Sequence, residues 1–353
     1  MVTEVIEAYF PSTKNYSIEP FGNGHINDTF KLFVEGKPSP FILQRINKNI
    51  FADPQNIINT QLQLQKLILN RNSKIKIPEI IPNINCEHLT VDLQGNAWRL
   101  IHFFSESYTI ELAKYNWQAK QAGIAYGWFV KECSMLNVNC FKEAIKDFHC
   151  LSFRICQLND SIKNNLVNRL ELVKDIVEFY KEREGKLQEI ENLVEEGGLP
   201  IRVVHNDTKI NNLLFRGKHV VAVIDLDTVG PGLLNFDYGD AVRTLTNEAL
   251  EDEKDLNKVR FNIKLFKAFT EGYMNQVKSF ITDAEKENLF IAPILMTYIM
   301  GIRFLTDFLN GDQYYKIAYP EHNIVRSKVQ MNFIKSLEEN LSNIRTIIFE
   351  SLP

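Results

Sequence analysis

Residues 203–215 read VVHNDTKINNLLF, a polar cluster containing His205, Asp207 and Asn212 held between two runs of strand-forming residues. Such groups are costly to bury away from water, so a chain that sets them among apolar neighbours has a use for them. A few residues later, 219–227 read HVVAVIDLD, a second β-branched run that ends in Asp225 and Asp227. Two short strands are therefore expected, each delivering carboxylates at one end. Phosphoryl transfer from a nucleotide needs this set: a carboxylate to orient the attacking hydroxyl and accept its proton, and an amide with a second carboxylate to hold Mg²⁺ against the phosphates.

The rest of the chain fits an ordinary globular protein. Its 353 residues are 45% hydrophobic and 24% charged, enough for about two domains and a sizeable core. A net charge of −4 argues against a nucleic-acid or membrane-surface binder, which needs a concentrated basic face. Five cysteines, Cys86, Cys133, Cys140, Cys150 and Cys156, form no CxxC pair and read as buried free thiols of a reducing cytoplasm. The N-terminus lacks a basic segment followed by an apolar core, and no run approaches about 18 apolar residues, so neither a signal peptide nor a membrane span is expected.

From Tyr16 to Ile101 short alternating segments are separated by turn residues, which predicts a small antiparallel sheet. One helix interrupts it: Ile57, Ile58, Leu62, Leu64, Leu67 and Leu69 recur near helical spacing, with Asp53 as N-cap before Pro54. Long helices follow. Leu166, Leu170, Val173, Val177 and Tyr180 predict one that runs on to Gly197 and Gly198, and others are expected over 256–280, after a Thr282–Glu285 capping box, and from His322 onward. The boundary is placed at 104/105, with a small mixed lobe before it and a larger helical lobe after.

The segment HNDTKINN matches the HxDxxxxN pattern of the aminoglycoside phosphotransferase and choline kinase superfamily, and VIDLD resembles its metal-binding segment. The resemblance implies an α+β, protein-kinase-like fold of two lobes, a small antiparallel-sheet N-lobe and a mostly helical C-lobe. FGNGHINDTFKL, FILQRINKNIF, VIDLDTVGPG, RFLTDFLNGDQYY and HNIVRSKVQ further resemble N-acetylhexosamine 1-kinases. That likeness implies ATP and Mg²⁺ as cofactors, Asp207 as catalytic base, Asn212 and Asp225 as metal ligands, and a sugar pocket of His25, Thr228, Arg303 and Tyr314. A cytoplasmic monomer acting on a small sugar and a nucleotide is expected.

Gly22 and Gly24 in FGNGHINDTF read alone as a hairpin turn; with the downstream motif they become a loop that covers phosphates. His205 is expected to hold the loop through a backbone hydrogen bond, and Asp237 or Asp240 to accept backbone bonds or cap a helix near Ala241. Asp227 is expected to support the metal or the loop. Protein kinases pair a strand lysine with a helix glutamate, but strand FILQRI and helix PQNIINTQLQLQKL offer neither. Arg45 is the nearest cation for the phosphates, with Gln44 beside it; side chains alternate along a strand, so only one of them faces the cleft. A degenerate pseudokinase would show the same gap, against which stands the retention of Asp207, Asn212 and Asp225. A kinase of another small alcohol, such as an aminoglycoside, choline or homoserine, is the alternative.

Overall fold

Strands form where β-branched and aromatic residues are bounded by turns. A computed structural model describes residues 2–13, 15–22, 26–69, 71 and 73–351. Helix α1 (Val2–Tyr9) precedes β1 (Tyr16–Pro20), β2 (Asp28–Val34) and β3 (Phe41–Ile46); α2 (Pro54–Leu69) leads to β4 (Ile80–Ile81), β5 (Thr90–Val91) and β6 (Ala97–His102). The sheet order is β1-β2-β3-β6-β4, with β5 also on β6, and the pairings are antiparallel. Asp53 caps α2 as expected, its carboxylate accepting the Asn56 N–H at 3.1 Å ahead of Pro54.

The sheet is covered on both faces, which decides where each β3 side chain goes. Leu43 of β3, with Trp98 and Leu100 of β6, packs against Val5, Ile6 and Tyr9 of α1. Ile46 and Ala97 pack on the other face against Ile57 and Ile58 of α2. By the two-residue period, Gln44 shares the α2 face with its cross-strand partner Arg99, while Arg45 shares the α1 face with Trp98.

The remainder is mainly helical: α3 (Asn116–Cys133), α4 (Leu151–Asn164), α5 (Lys174–Lys181), α6 (Glu184–Glu195), α7 (Leu234–Leu245), α8 (Ile263–Val277), α9 (Asp283–Glu287), α10 (Ala292–Leu309), α11 (His322–Glu339) and α12 (Leu341–Glu350). Two small antiparallel pairs lie among them, β7 (Arg202–Val204) with β10 (Gly230–Gly232), and β8 (Leu213–Arg216) with β9 (His219–Val223). This is the α+β arrangement expected above. Helices α3 and α8 touch backbone to backbone: a Cβ on Gly123 would lie 2.1 Å from the Phe269 carbonyl oxygen, and one on Gly272 2.4 Å from that of Lys120. Helix α10 is long and apolar enough by composition to cross a membrane, but 94% of it is buried, which makes it the core helix.

Several expected boundaries are corrected. The long helix through Leu166 does not exist, because Asn165 and Asn168 take left-handed backbone (φ 40° and 55°) and the chain restarts as α5 and α6. Residues Leu256–Lys258 form only a 3₁₀ turn; α8 begins after Asn262, whose side chain caps the N–H groups of Lys264 and Leu265. The Thr282–Glu285 capping box forms, but α9 ends at Glu287 and α10 begins anew with Pro293 in its first turn. Helix α7 starts at Leu234 rather than near Ala241. The cysteines are free, but only Cys133 is buried; Cys86, Cys140 and Cys156 are exposed and Cys150 is intermediate.

Candidate active site

The loop after β7 is suspended from α7. Asn206 adopts φ 63°, turning the chain so that the Asp237 carboxylate accepts the N–H groups of His205 and Asn206, each at 2.7 Å. The Thr208 hydroxyl donates to the Asp237 carbonyl at 2.6 Å. Burial pushes the Asp237 carboxyl up to about 6, against the pull of the two N–H groups. The His205 ring is fully buried against the edges of Tyr126 and Phe129. One ring nitrogen lies 3.0 Å from the Ile224 carbonyl, while the other accepts the Asp207 N–H at 3.3 Å, which selects the neutral ring protonated at Nε2. His205 and Asp237 thus brace the loop.

Asp207 emerges beside Lys209 and Asn212. Its carboxylate lies 3.0 Å from the Lys209 ammonium and accepts the Asn212 side-chain amide at 3.1 Å; the same amide donates to the Asp207 carbonyl at 2.9 Å. Burial alone would raise the Asp207 carboxyl, but the Lys209 ammonium prevails and holds it below the ordinary carboxylate range. Asp207 also drives the Lys209 ammonium upward. Lys209 was not singled out from sequence, although it stands inside the motif, two residues from the carboxylate it serves.

Asp225 follows β9 in left-handed backbone (φ 59°), and its side chain accepts no hydrogen bond among the described residues. Its side chain is exposed to solvent, yet the protein packed around it, then Asp227 and Asp207, push its carboxyl up to about 7. A carboxylate so placed lacks a cation. With its amide nitrogen committed to Asp207, Asn212 has its oxygen free of protein partners among the described residues. One carboxylate and one amide oxygen suit Mg²⁺, which takes few protein ligands and completes its shell with phosphates and water. No cluster of three His, Cys, Asp or Glu ligands occurs among the described residues, so no closed metal cage competes with this reading.

Asp227, only two residues on, is not part of that pair. It is 2% exposed, ion-paired with Arg99 at 2.6 Å, and accepts the Asn27 amide at 2.6 Å. Arg45 does not face the cleft: it lies on the α1 side of the sheet, bonded to Asp28 at 2.8 Å and over the Trp98 ring. This corrects its expected role as the cation for phosphates, since Gln44 takes the inward position. Gly22 has φ 79° with open space where a Cβ would stand; Gly24 and His25 lie outside the described residues. Lys31, on the α2 face of β2, sits over the rings of Phe21, Phe33 and Phe103 at 5.7, 5.0 and 4.6 Å, beside the connection between sheet and helices.

On the far side of the loop, Thr228 donates its hydroxyl proton to the His205 carbonyl at 2.8 Å. With Asn206 it lines a cavity of about 430 Å³ walled by Phe148, His149, Leu233 and Phe236 and edged by Glu143 and Glu195. Asp207 adjoins this cavity without lining it. The His149 ring nitrogen lies 2.9 Å from the Asn206 carbonyl, and burial drops that imidazole to about 4, so it is neutral. The Phe148 ring lies 4.4 Å from the His149 ring and 4.8 Å from the Arg303 guanidinium. Arg303 also lies 5.7 Å from the Tyr314 and Tyr315 rings, and no carboxylate pairs with it among the described residues. Burial and then neighbouring Arg303 bring Arg154 down to about 10. The Tyr314 loop hangs from Asp307 of α10, whose carboxylate accepts the N–H groups of Gln313, Tyr314 and Tyr315 at 2.8, 2.8 and 3.0 Å. Arg303 and Tyr314 are therefore neighbours, and Thr228 shares a cavity wall with Phe148, the ring on which Arg303 rests.

Residues 142–260, which contain Asp207, Lys209, Asn212 and Asp225, match the phosphotransferase enzyme family. Among solved structures, the chain is similar to a microcompartment-associated aminopropanol kinase (TM-score 0.64, 15% identity, 97% of each chain covered). It is also similar to an aminoglycoside phosphotransferase from Alicyclobacillus acidocaldarius (TM-score 0.62, 12% identity, 97% of this chain and 96% of that one). A choline kinase from Cryptosporidium parvum is similar too (TM-score 0.57, 16% identity, 98% and 99%). The fold is the protein-kinase-like fold of these phosphotransferases.

Proposed function

We propose that the chain transfers the γ-phosphoryl group of ATP to the anomeric hydroxyl of an N-acetylhexosamine, N-acetylglucosamine or N-acetylgalactosamine, as a cytoplasmic monomer with lobes 1–104 and 105–353. Its support at the level of chemistry is the grouping of Asp207, Lys209, Asn212 and Asp225 within a segment that matches the phosphotransferase family. Asp207 orients the hydroxyl and takes its proton as oxygen bonds to phosphorus and the bridge to ADP breaks. Lys209 keeps that carboxylate ionised and adds positive charge beside the transfer. Asn212 and Asp225 would hold Mg²⁺, which when bound neutralises phosphate charge. His205 and Asp237 keep the loop in place.

The observation that carries the acceptor assignment is Arg303: a cation with no carboxylate partner among the described residues, flanked by Arg154 and by the rings of Phe148, Tyr314 and Tyr315. An acceptor bearing ammonium groups would be repelled here, whereas a neutral, hydroxyl-rich ring can stack and accept hydrogen bonds. A second reading, an amino alcohol acceptor, draws on Glu143 and Glu195 at the rim of the cavity beside Thr228. ATP consumption with Mg²⁺ across N-acetylglucosamine, N-acetylgalactosamine, glucose, galactose, choline, homoserine and kanamycin separates the two. Turnover on an N-acetylhexosamine that yields the 1-phosphate supports the first; turnover only on choline or kanamycin replaces it with the second. Asp207→Asn should cost on the order of 10²–10⁴ in kcat while ATP affinity persists. A non-catalytic nucleotide-binding protein would be indifferent to that change.

A further inference from the structure

The inference concerns what stands in place of the strand lysine and helix glutamate of kinases, and it rests on the phosphotransferase reading. Gln44 of β3 and Gln61 of α2 face each other on the inner side of the sheet, and the Arg99 guanidinium from β6 sits between them. Its Nε and Nη2 groups donate to the Gln44 oxygen at 3.0 and 2.7 Å, and Nη1 donates to the Gln61 oxygen at 3.1 Å. The same Nη1 lies 2.6 Å from Asp227. Each glutamine is turned by its own donor, Gln44 to the Thr29 hydroxyl at 2.9 Å and Gln61 to the Pro78 carbonyl at 3.1 Å, so both amide oxygens point at Arg99.

Charge explains why both glutamines are neutral. Arg99 is 3% exposed and Asp227 2%, a buried pair that cancels itself and needs further dipoles to satisfy the guanidinium. A lysine at position 44 or a glutamate at 61 would leave this network with an unbalanced charge. A planar fork spreads its donors over three nitrogens, which is how it spans Gln44, Gln61 and Asp227; an ammonium would have to meet all three from a single nitrogen. The guanidinium is nearly closed off from solvent, hydrogen-bonded to two glutamines and ion-paired with Asp227, so it could meet a phosphate only by abandoning these contacts.

We propose that Arg99 is a positioning residue. It does the assembly work of the missing lysine–glutamate pair by tying β3 and α2 to the Asp227 turn, thereby fixing Asp225 two residues away for its metal, and it does so without touching the nucleotide. Asn27, just before β2, adds a second contact to Asp227 and accepts the Asn47 N–H at 3.0 Å, so the start of β2 is registered on the same carboxylate.

The test compares wild type, Arg99→Lys and the neutral pair Arg99→Gln/Asp227→Asn by thermal melting, by ATP binding with Mg²⁺ and with EDTA, and by steady-state kinetics. Both variants should need about 10–100-fold more Mg²⁺ for ATP binding, as when a partner that orients a metal ligand is lost. Their metal-free ATP binding should be unchanged, and the neutral pair should melt near wild type. ATP affinity that falls equally in EDTA would mean direct phosphate contact and overturn the proposal. So would full recovery of the Mg²⁺ response in the neutral pair, which would make the ion pair a packing element, or in Arg99→Lys, which would leave only charge at work. A wild type that binds ATP with Mg²⁺ but phosphorylates nothing defeats the acceptor assignment and leaves this inference intact; one that does not bind ATP ends both.

Discussion

Replacing Asp237 with asparagine removes one oxygen from a carboxylate that receives two backbone N–H groups at 2.7 Å in a site 2% exposed. An amide keeps one acceptor and turns an NH₂ toward the other N–H. The lost bond to a charged group is worth about 1.5–3 kcal/mol and the stranded N–H about 1–3 more. Against this, asparagine avoids burying a charge that the protein already disfavours, as the rise of the carboxyl to about 6 shows. The balance is a loss of about 2–4 kcal/mol. Urea unfolding at neutral pH should show that loss in the midpoint with an unchanged slope. A loop displaced by even an ångström should also lower kcat by about 10²-fold. A midpoint shift under about 0.5 kcal/mol with normal kcat would show that Thr208, His205 and His149 hold the loop without Asp237.

Two further outcomes are expected. The Asp225 carboxyl is raised from about 3.8 to about 7 in the fold. Its contribution to stability is therefore complete below the unfolded value and is lost as pH rises through the folded one. Melting of the metal-free wild type should thus decline relative to Asp225→Asn between pH 4 and pH 7, while Mg²⁺-dependent ATP affinity of the wild type climbs across the same upper range; parallel melting profiles would refute this. Gly123→Ala should cost about 1–3 kcal/mol, because its methyl would drive α3 off the Phe269 carbonyl. Gly185→Ala in α6, with open space around it, should be neutral or stabilising by about 0.5–1 kcal/mol, and similar losses at both sites would refute the packing argument.

The polar loop was legible in sequence because its spacing is local: Asp207 and Asn212 meet within one short turn, although Lys209 between them was passed over. Asp237 or Asp240 was expected to anchor the loop, because aspartate is common at a helix start; only the fold shows that Asp237 takes the His205 and Asn206 N–H groups. Arg45 was misjudged by a single residue for a physical reason. Both faces of the sheet are covered, by α1 and by α2, so Leu43 and Ile46 are both apolar and no polar alternation reveals which side is inward. The Arg99 network joins residues from β3, α2, β6 and the Asp227 turn, and only the folded topology places them together. The Asn165 and Asn168 breaks were hidden because asparagine tolerates both helical and left-handed backbone.

Asp307 has a consequence for how acceptor preference can change. Its carboxylate gathers the Tyr314 loop on one side and the Asn323 amide of α11 on the other, at 2.9 Å, while Arg303 lies one turn earlier on the same helix. The Tyr314 loop and the start of α11 are therefore held by one carboxylate, one turn from Arg303. A substitution at Asn323, which is itself fully buried, would be felt at Arg303 and Tyr314 without touching any ligand, so the proposed acceptor wall is tunable from the inside of the helical layer as well as from its surface.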